Sequence, residues 1–164
     1  TGFHNGTPLV EFLSKGSHFA NITGEKLSEY HVTHAMQDVL RERGLTVTTY
    51  SLAPCWDDEQ PYYGLFVEES DFESPQQADQ LAEALDRRLA IGNIEYACKR
   101  ESLRLGAVRV QMLASGTWQR WDRQRLERSG GTPEQYKHPC LIPDVNLRTS
   151  LASCAVAPLA SASR

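Results

Sequence analysis

The segment that begins at Ser74 constrains the fold more than any other part of the chain. Ser74 precedes Pro75, and this pair predicts a helix start because serine caps free backbone amides and proline fits the first helical turn. Apolar residues then recur along one face of the helix, at Ala78, Leu81, Ala82, Leu85 and Leu89. An amphipathic helix must bury that face, so the rest of the chain has to supply a layer for it to pack on.

Segments typical of β-strands lie on both sides of this helix. Residues 45–52 and 62–67 precede it, and residues 107–113 follow it, all rich in branched or aromatic side chains. Near the start of the chain, short apolar runs at residues 9–13 and 19–22 enclose a glycine-containing turn and predict a β-hairpin.

Two further helices complete the predicted order. One is capped by Ser28 and ended by Gly44, and the other begins at Thr117. Strand and helix segments in this order favour an α+β fold with a split β-α-β (ferredoxin-like) arrangement, in which an antiparallel sheet carries its helices on one face and is preceded by the hairpin. Residues 147–164 are rich in Ala and Ser and are expected to form a mobile tail.

Composition narrows the classes of function. The net charge of −4 gives no global attraction to nucleic acid or to anionic membranes. No apolar run reaches the ~18 residues that predict a membrane span, and residues 1–30 lack a secretory signal pattern. The four cysteines have neither a disulfide-scaffold nor a zinc-ligand spacing. We therefore expect a cytoplasmic protein with free thiols that binds neither nucleic acid nor membrane.

Two sequence patterns could indicate a functional site, but a structural role explains each pattern equally well. His31 and His34 are three residues apart on a predicted helix, but two ligands do not make a metal site and no third ligand has a fitting spacing, so no metal is predicted. Trp118, Trp121 and Arg125 have the composition of a nucleic-acid surface. The same three residues are also typical of buried rings covered by an arginine stem.

Two lysines occupy positions in the sequence that suit a catalytic or a hinge role. Lys137 lies in a loop between a Gly-Gly pair and Pro139, which displays its ammonium as a point charge suited to an anionic reaction centre. Lys26 follows Gly24 where the predicted hairpin meets the first helix, as a hinge residue would. Surface lysines without a specific role remain an alternative for both positions.

Taken together, several blocks resemble the C-terminal part of the auxin-responsive promoter family of acyl acid–amido synthetases, which belong to the adenylate-forming superfamily of firefly luciferase. Residues 1–8, followed by Phe12 and Lys15, resemble the β-turn-β nucleotide motif of that family. Residues 22–29 resemble its hinge and first helix start. The resemblance extends over residues 1–143 and includes further blocks, namely Ile91, Asn93, Tyr96, Arg100, Leu105-Gly106, Arg109-Val110, Gly116-Thr117 and Gln135-Tyr136-Lys137 with Pro139.

The resemblance implies roles for individual residues. Lys137 would be the catalytic residue that reaches the nucleotide phosphates and the carboxylate, and the hinge would include Thr23 and Lys26. Nucleotide contacts would come from Phe3, Asn5 and Lys15. The sequence departs from the family at Cys140, where an Arg commonly follows the proline, and at residues 23–25, which replace an Asp-rich hinge.

The resemblance also implies what this chain would work with. Residues 28–146 would be a C-terminal lid domain, and residues 1–27 would hold the hairpin and the hinge to an N-terminal adenylation domain of the same polypeptide. That larger domain would bind ATP, Mg²⁺ and a carboxylic acid, and the acyl-adenylate would then react with an amine such as an amino acid. The isolated chain is expected to be inactive as an enzyme.

One alternative function stays open from the residues alone. The same order of elements fits a non-catalytic, ferredoxin-like module that binds a small molecule or a partner protein. Saturable binding of an amino acid without ATP would favour this module over the lid of an enzyme.

Overall fold

The computed structural model describes residues 3–4, 7–8, 19–57, 59–130, 132 and 136–155. The strands are β1 (Phe3–His4), β2 (Thr7–Pro8), β3 (Phe19–Ala20), β4 (Leu27–Ser28), β5 (Tyr50–Trp56), β6 (Pro61–Glu68) and β7 (Arg109–Leu113). The helices are α1 (Glu29–Arg43), α2 (Pro75–Gly92), α3 (Ile94–Glu101), α4 (Thr117–Ser129) and α5 (Leu147–Ala155), and a 3₁₀ turn covers Glu69–Asp71.

The central sheet has the strand order β5-β6-β7. β5 and β6 are antiparallel, with Leu52 opposite Leu65, whereas β7 runs parallel to β6, with Val110 opposite Leu65. A further stretch of chain adds to the free edge of β5, where Leu141 forms a parallel bridge with Leu52. The edge strand is therefore partly covered by the segment that follows α4.

Side chains of the sheet alternate between two buried faces. Leu52, Tyr63 and Leu65 point into a core that they share with the apolar faces of α1 and α2. Ala53 and Phe66 point to the other side, into a second core. That second core is completed by residues from beyond the sheet, namely Trp118, Trp121, Ile142, Leu147 and Leu151. The sheet is thus a middle layer between two helical layers.

The predicted α+β class is confirmed, and three details of the expected arrangement are corrected. The sheet is mixed rather than antiparallel because the long α2–α3 connection returns the chain parallel to β6. β6 and β7 are immediate neighbours, so the β-α-β unit is not split. Helices cover both faces rather than one, because β5 and β6 bury consecutive side chains instead of alternating ones.

The first four described strands of the chain are two residues long each and form two short antiparallel pairs. β1 pairs antiparallel with β2, and β3 pairs antiparallel with β4. The predicted strand at residues 9–13 lies outside the described residues. Phe19–Ala20, expected to form the second strand of that hairpin, pairs with Leu27–Ser28 across a tight turn at residues 21–26.

Helix ends follow the sequence signals. Ser28 caps α1, its hydroxyl accepting from the backbone N–H of His31, and the His31 ring accepts from the backbone N–H of Ser28 in return. Gly44 ends α1 with a φ of 63°, a left-handed conformation that suits glycine. Pro75 occupies the first turn of α2 as predicted, although the Ser74 side chain makes no cap hydrogen bond.

The segment that the sequence assigned to a mobile tail begins as helix α5. Leu147 and Leu151 are one helical turn apart, and both are only 2% exposed against the second core. These two leucines supply the apolar contacts that offset the entropy of ordering an Ala- and Ser-rich segment.

Asp86 connects helices α2 and α3 to the segment that leads into β7. Its carboxylate accepts from the hydroxyl of Tyr96 at 2.6 Å and from the backbone N–H of Val108 at 3.2 Å. It also forms a two-pronged ion pair with the Arg100 guanidinium, with contacts of 3.0 to 3.2 Å. One half-buried carboxylate therefore holds α2, α3 and the approach to β7 together.

We expect Asp86→Asn to lower the free energy of unfolding by about 2 kcal/mol or more, because charge-assisted hydrogen bonds to a poorly solvated carboxylate are lost. Urea unfolding of the chain measures this change. Asp79→Asn is the matched control, since Asp79 is exposed on the same helix. Equal stabilities of the two variants would contradict a structural role for Asp86.

Candidate functional site

Lys137 is displayed at the surface on the segment that connects α4 to the edge of β5. Its side chain is exposed and lines a cleft of about 610 Å³ between this segment and α1. We call this the α1–α4 cleft. Tyr30 and His34 of α1 and Arg125 of α4 line it together with Lys137. The sequence-predicted catalytic residue thus stands at a cleft of small-molecule size.

Backbone hydrogen bonds fix the chain just after Lys137. The N–H of Leu52 donates to the carbonyl of Cys140 at 2.9 Å, and the N–H of Ile142 donates to the carbonyl of Leu52 at 2.9 Å. On the other side, the N–H of Cys140 donates to the carboxylate of Glu29 at 2.7 Å. Residues 140–142 are therefore held by both β5 and the first residue of α1.

His138 anchors the same segment through its side chain. Its Nδ1 lies 2.8 Å from Oδ1 of Asp122, and its Nε2 lies 2.8 Å from Oγ of Ser51. Ser51 is fully buried and donates its hydroxyl proton to the carbonyl of Pro139 at 2.7 Å. Because a carboxylate only accepts, Nδ1 of His138 carries a proton and donates to Asp122.

Tyr136 fixes the other side of Lys137. Its hydroxyl donates to Oδ1 of Asp122 at 2.6 Å. Burial and the neighbouring carboxylate of Asp122 raise the pKa of Tyr136, so the phenol remains a donor at neutral pH. Both neighbours of Lys137 in the sequence are thus bound to one carboxylate on α4, while Lys137 itself points outward.

The rings of Trp118 and Trp121 enclose His138. The ring centroids of His138 and Trp118 are 4.6 Å apart, and those of His138 and Trp121 are 5.7 Å apart, both edge to face. The Arg125 guanidinium lies 4.9 Å from the centroid of the Trp121 ring. The tryptophans are 2% and 8% exposed, which supports the interpretation of buried rings under an arginine stem.

The predicted hinge residues lie around a buried carboxylate. Glu25 is fully buried and accepts from the backbone N–H groups of Ile22 and Thr23, each at 2.8 Å, and from the Tyr63 hydroxyl. Its own carbonyl accepts from the side-chain amide of Asn93 at 3.0 Å. The turn that contains Thr23 is therefore attached to the sheet and to the start of α3.

Backbone conformation in this turn is unusual at two positions. Gly24 has a φ of 107°, and Lys26 has a φ of 48°, which non-glycine residues seldom adopt. The Lys26 side chain is exposed, and its backbone N–H points to the side chain of Asn21 at 3.4 Å. Neither Thr23 nor Lys26 lines the α1–α4 cleft.

Burial alone would raise the pKa of Glu25, but the hydrogen bonds from Ile22, Tyr63 and Thr23 outweigh it and lower this pKa below its usual value of 4.5. The carboxylate is therefore ionised at neutral pH. A buried acidic side chain next to the predicted hinge was not expected from the sequence.

Other sequence-predicted residues are only partly described. Phe3 lies in β1 opposite Pro8 of β2, and its contact with a nucleotide stays a prediction. Asn5 and Lys15 lie outside the described residues. His31 takes part in the capping box of α1, and burial lowers its pKa, while the His34 ring is tilted against the Tyr30 ring with centroids 4.1 Å apart.

Within the described residues, no three His, Cys, Asp or Glu side chains are placed to hold a metal ion. No helix in the same ranges has the length and the apolar content needed to cross a membrane. Cys55, Cys98 and Cys140 are free thiols.

Three residues that fix the Lys137 segment were not singled out by sequence reasoning. Ser51 and Asp122 are 87 and 16 residues from His138, and no local spacing connects them to it. The only signal in the sequence is the position of His138 between the displayed Lys137 and Pro139.

Comparison with known proteins identifies relatives of this fold. A family model described as the GH3 family C-terminal domain matches residues 30–146. The chain is similar to a solved structure of AtGH3.15 acyl acid amido synthetase in complex with 2,4-DB, with 15% identity, a TM-score of 0.68, and coverage of 96% of this chain and 29% of that one. It is also similar to a structure of GH3.15 acyl acid amido synthetase, with 17% identity, a TM-score of 0.69, and coverage of 96% and 30%.

The chain thus spans less than a third of the length of these solved structures, and at this identity the likeness shows the fold. No curated protein matches the chain.

We expect His138→Ala to lower the free energy of unfolding by about 2–3 kcal/mol, because it removes one hydrogen bond from Asp122 and one from Ser51 and deletes a ring that packs against two tryptophans. Urea unfolding tests this. His34→Ala, at an exposed position of α1, should cost less than about 0.5 kcal/mol. A His138 variant as stable as the His34 variant would show that the segment is held without the imidazole.

We expect Glu25→Gln to destabilise the chain at pH 7 by about 2 kcal/mol, since the amide replaces a charged acceptor of several hydrogen bonds. The pKa of Glu25 is lowered in the folded state, so its stabilising effect is complete above pH 4.5 and disappears as the pH falls through the folded-state pKa. The stability difference between parent and variant should therefore shrink below pH 4.5, as thermal unfolding at several pH values would measure. A difference that is constant with pH, or equal to that of exposed Glu127→Gln, would contradict this assignment.

Proposed function

The chain belongs to the GH3 family, as a C-terminal domain of that family, and we propose that it is the lid of an ATP-dependent, adenylate-forming acid–amino acid amide synthetase. The lid would close over an N-terminal adenylation domain that binds ATP and a carboxylic acid. The family match and the likeness in fold to acyl acid amido synthetases support this assignment. The observation that carries it is the exposed Lys137 on a segment fixed at both ends.

The chemistry of adenylation requires a positive charge of this kind. When a carboxylate oxygen attacks the α-phosphate, a bond from oxygen to phosphorus forms and the bond to the leaving pyrophosphate breaks. Negative charge builds up on the phosphoryl oxygens and on the leaving group. An ammonium brought to these atoms by closure stabilises the transition state more than the open ground state, and only such a difference accelerates the reaction.

In this proposal, Lys137 is an effective catalytic residue because its segment is anchored. Tyr136 and His138 are bound to Asp122, so the backbone that carries Lys137 is held to α4 while the lysine stem remains free to reach. A charge that is positioned before the reaction costs little reorganisation during it. Lys137 is the residue to which we assign the catalytic role.

A second step requires the lid to move. We place the hinge at the turn that contains Thr23 and Lys26, where two residues have positive φ values. Rotation there would remove Lys137 from the acyl-adenylate and admit the amine, which we propose is an amino acid. The amine nitrogen would then attack the acyl carbon, and AMP would leave.

ATP and Mg²⁺ would be bound mainly by the N-terminal domain. The described part of this chain offers no cluster of metal ligands. Phe3, Asn5 and Lys15 remain our candidates for nucleotide contacts from this chain, at the β-turn-β motif of which β1 and β2 are described.

We expect Lys137→Ala in the full-length protein to slow ATP–pyrophosphate exchange at least tenfold, and by about 10²- to 10³-fold if its charge acts fully in the transition state. Lys99→Ala is the matched control, because it removes a lysine that lies outside the α1–α4 cleft. Exchange at the parental rate in the Lys137 variant would remove this residue from the mechanism.

A further inference from the structure

Arg125 is a second cation in the α1–α4 cleft. It lies on the exposed side of α4, three and seven residues beyond Asp122 and Trp118, and it lines the cleft together with Lys137. Its guanidinium rests over the Trp121 ring. Since Trp121 is itself packed against His138, one group of aromatic rings supports both the arginine and the segment that displays the lysine.

Neither cation has an acidic partner among the described residues. Some other arginines of the same domain do, since Arg88 pairs with Glu42, Arg100 with Asp86 and Arg109 with Asp57. For Arg125 and Lys137 the described ranges contain no carboxylate within ion-pair distance. Two cations at one concave surface, without a carboxylate partner in the described ranges, are the charge distribution expected for an anionic ligand.

The remaining cleft lining offsets the charge of these two cations only in part. Glu29 is the one acidic residue among the described lining, and its carboxylate is directed to the backbone N–H of Cys140 at 2.7 Å. Burial raises the pKa of the Cys140 thiol, so it stays neutral. Thr33 and Gln37 add neutral groups that can donate hydrogen bonds.

Size and geometry point to an oligophosphate. The cleft volume of about 610 Å³ is within the range for small-molecule sites, which runs from roughly 300 to 1,000 Å³. A guanidinium presents two parallel N–H donors that match two phosphate oxygens, whereas an ammonium acts as a point charge. An arginine and a lysine together therefore suit a ligand with neighbouring phosphate groups.

We propose that Arg125 is a substrate-binding residue that acts with Lys137 to hold the pyrophosphate portion of the nucleotide in the α1–α4 cleft. The inference rests on the proposed function for the identity of the ligand. During adenylation the bond between the α-phosphorus and the bridging oxygen breaks, and its electron pair leaves with pyrophosphate. Arg125 stabilises the charge on this leaving group, while Lys137 stabilises the charge on the oxygens of the phosphorus that is attacked.

The test uses the full-length protein and two measurements. In ATP–pyrophosphate exchange, Arg125→Ala should raise the KM for pyrophosphate roughly tenfold or more, the loss expected for one charge-assisted contact, and should leave the KM for the carboxylic acid unchanged. Arg125→Lys should recover part of the loss because it keeps the charge. Arg123→Ala is the matched control, since Arg123 is exposed two residues away on α4 and does not line the cleft.

Arg125→Met provides a second variant, because it keeps an apolar stem over Trp121 and removes only the charge. If Arg125→Ala and Arg125→Met both have the pyrophosphate KM of the Arg123 control, the inference is wrong. An equal rise in the KM values of pyrophosphate and carboxylic acid would also overturn it, because that pattern indicates a general structural defect.

Titration of inorganic pyrophosphate by calorimetry separates this inference from the proposed function. A dissociation constant that weakens roughly tenfold in Arg125→Met, but not in Arg123→Ala, supports the oligophosphate site even in a protein that catalyses no exchange. Unchanged binding in the Arg125 variant contradicts the site, whether or not Lys137→Ala slows catalysis.

Discussion

Strand β5 fixes the Lys137 segment in two independent ways, and the candidate site depends on both. The main chain of Leu52 exchanges hydrogen bonds with residues 140 and 142, and the buried hydroxyl of Ser51 contacts both His138 and the carbonyl of Pro139. This is possible because successive residues of β5 face opposite layers and both layers are covered. A sheet with one open face would leave Ser51 in water, where its hydrogen bonds would contribute little to holding the segment.

Local sequence signals predicted the parts of the fold that are determined locally. The cap at Ser28, the stop at Gly44 and the start at Pro75 are all found where expected, because each depends on residues within one helical turn. β5 covers Tyr50–Trp56 rather than the predicted residues 45–52, and it includes Pro54. The structure accommodates this proline within an edge strand, where the lost N–H interrupts only a partly paired edge.

The candidate site was predictable only in part, because much of it depends on contacts between residues that are far apart in the sequence. The display of Lys137 follows from flanking Gly and Pro residues and from the family resemblance, whereas the anchoring of its segment requires contacts across most of the chain. Ser51, Asp122 and His138 carry no spacing signal that would bring them together. Helices on both faces were equally hard to foresee, since burial of α5 rests on Leu147 and Leu151 in a segment otherwise typical of disorder.

Helix α1 connects the proposed hinge to the proposed catalytic residue. The buried carboxylate of Glu25 holds the turn just before the helix, and three residues later Ser28 caps it. The first helical residue, Glu29, then binds the backbone of Cys140. Since α1 packs against α2 and the sheet as part of one core, a rotation at the turn would carry the helix and the Lys137 segment together. In the proposed lid motion, the lysine would therefore move as part of a rigid body, and its position relative to the nucleotide would be set by the hinge angle.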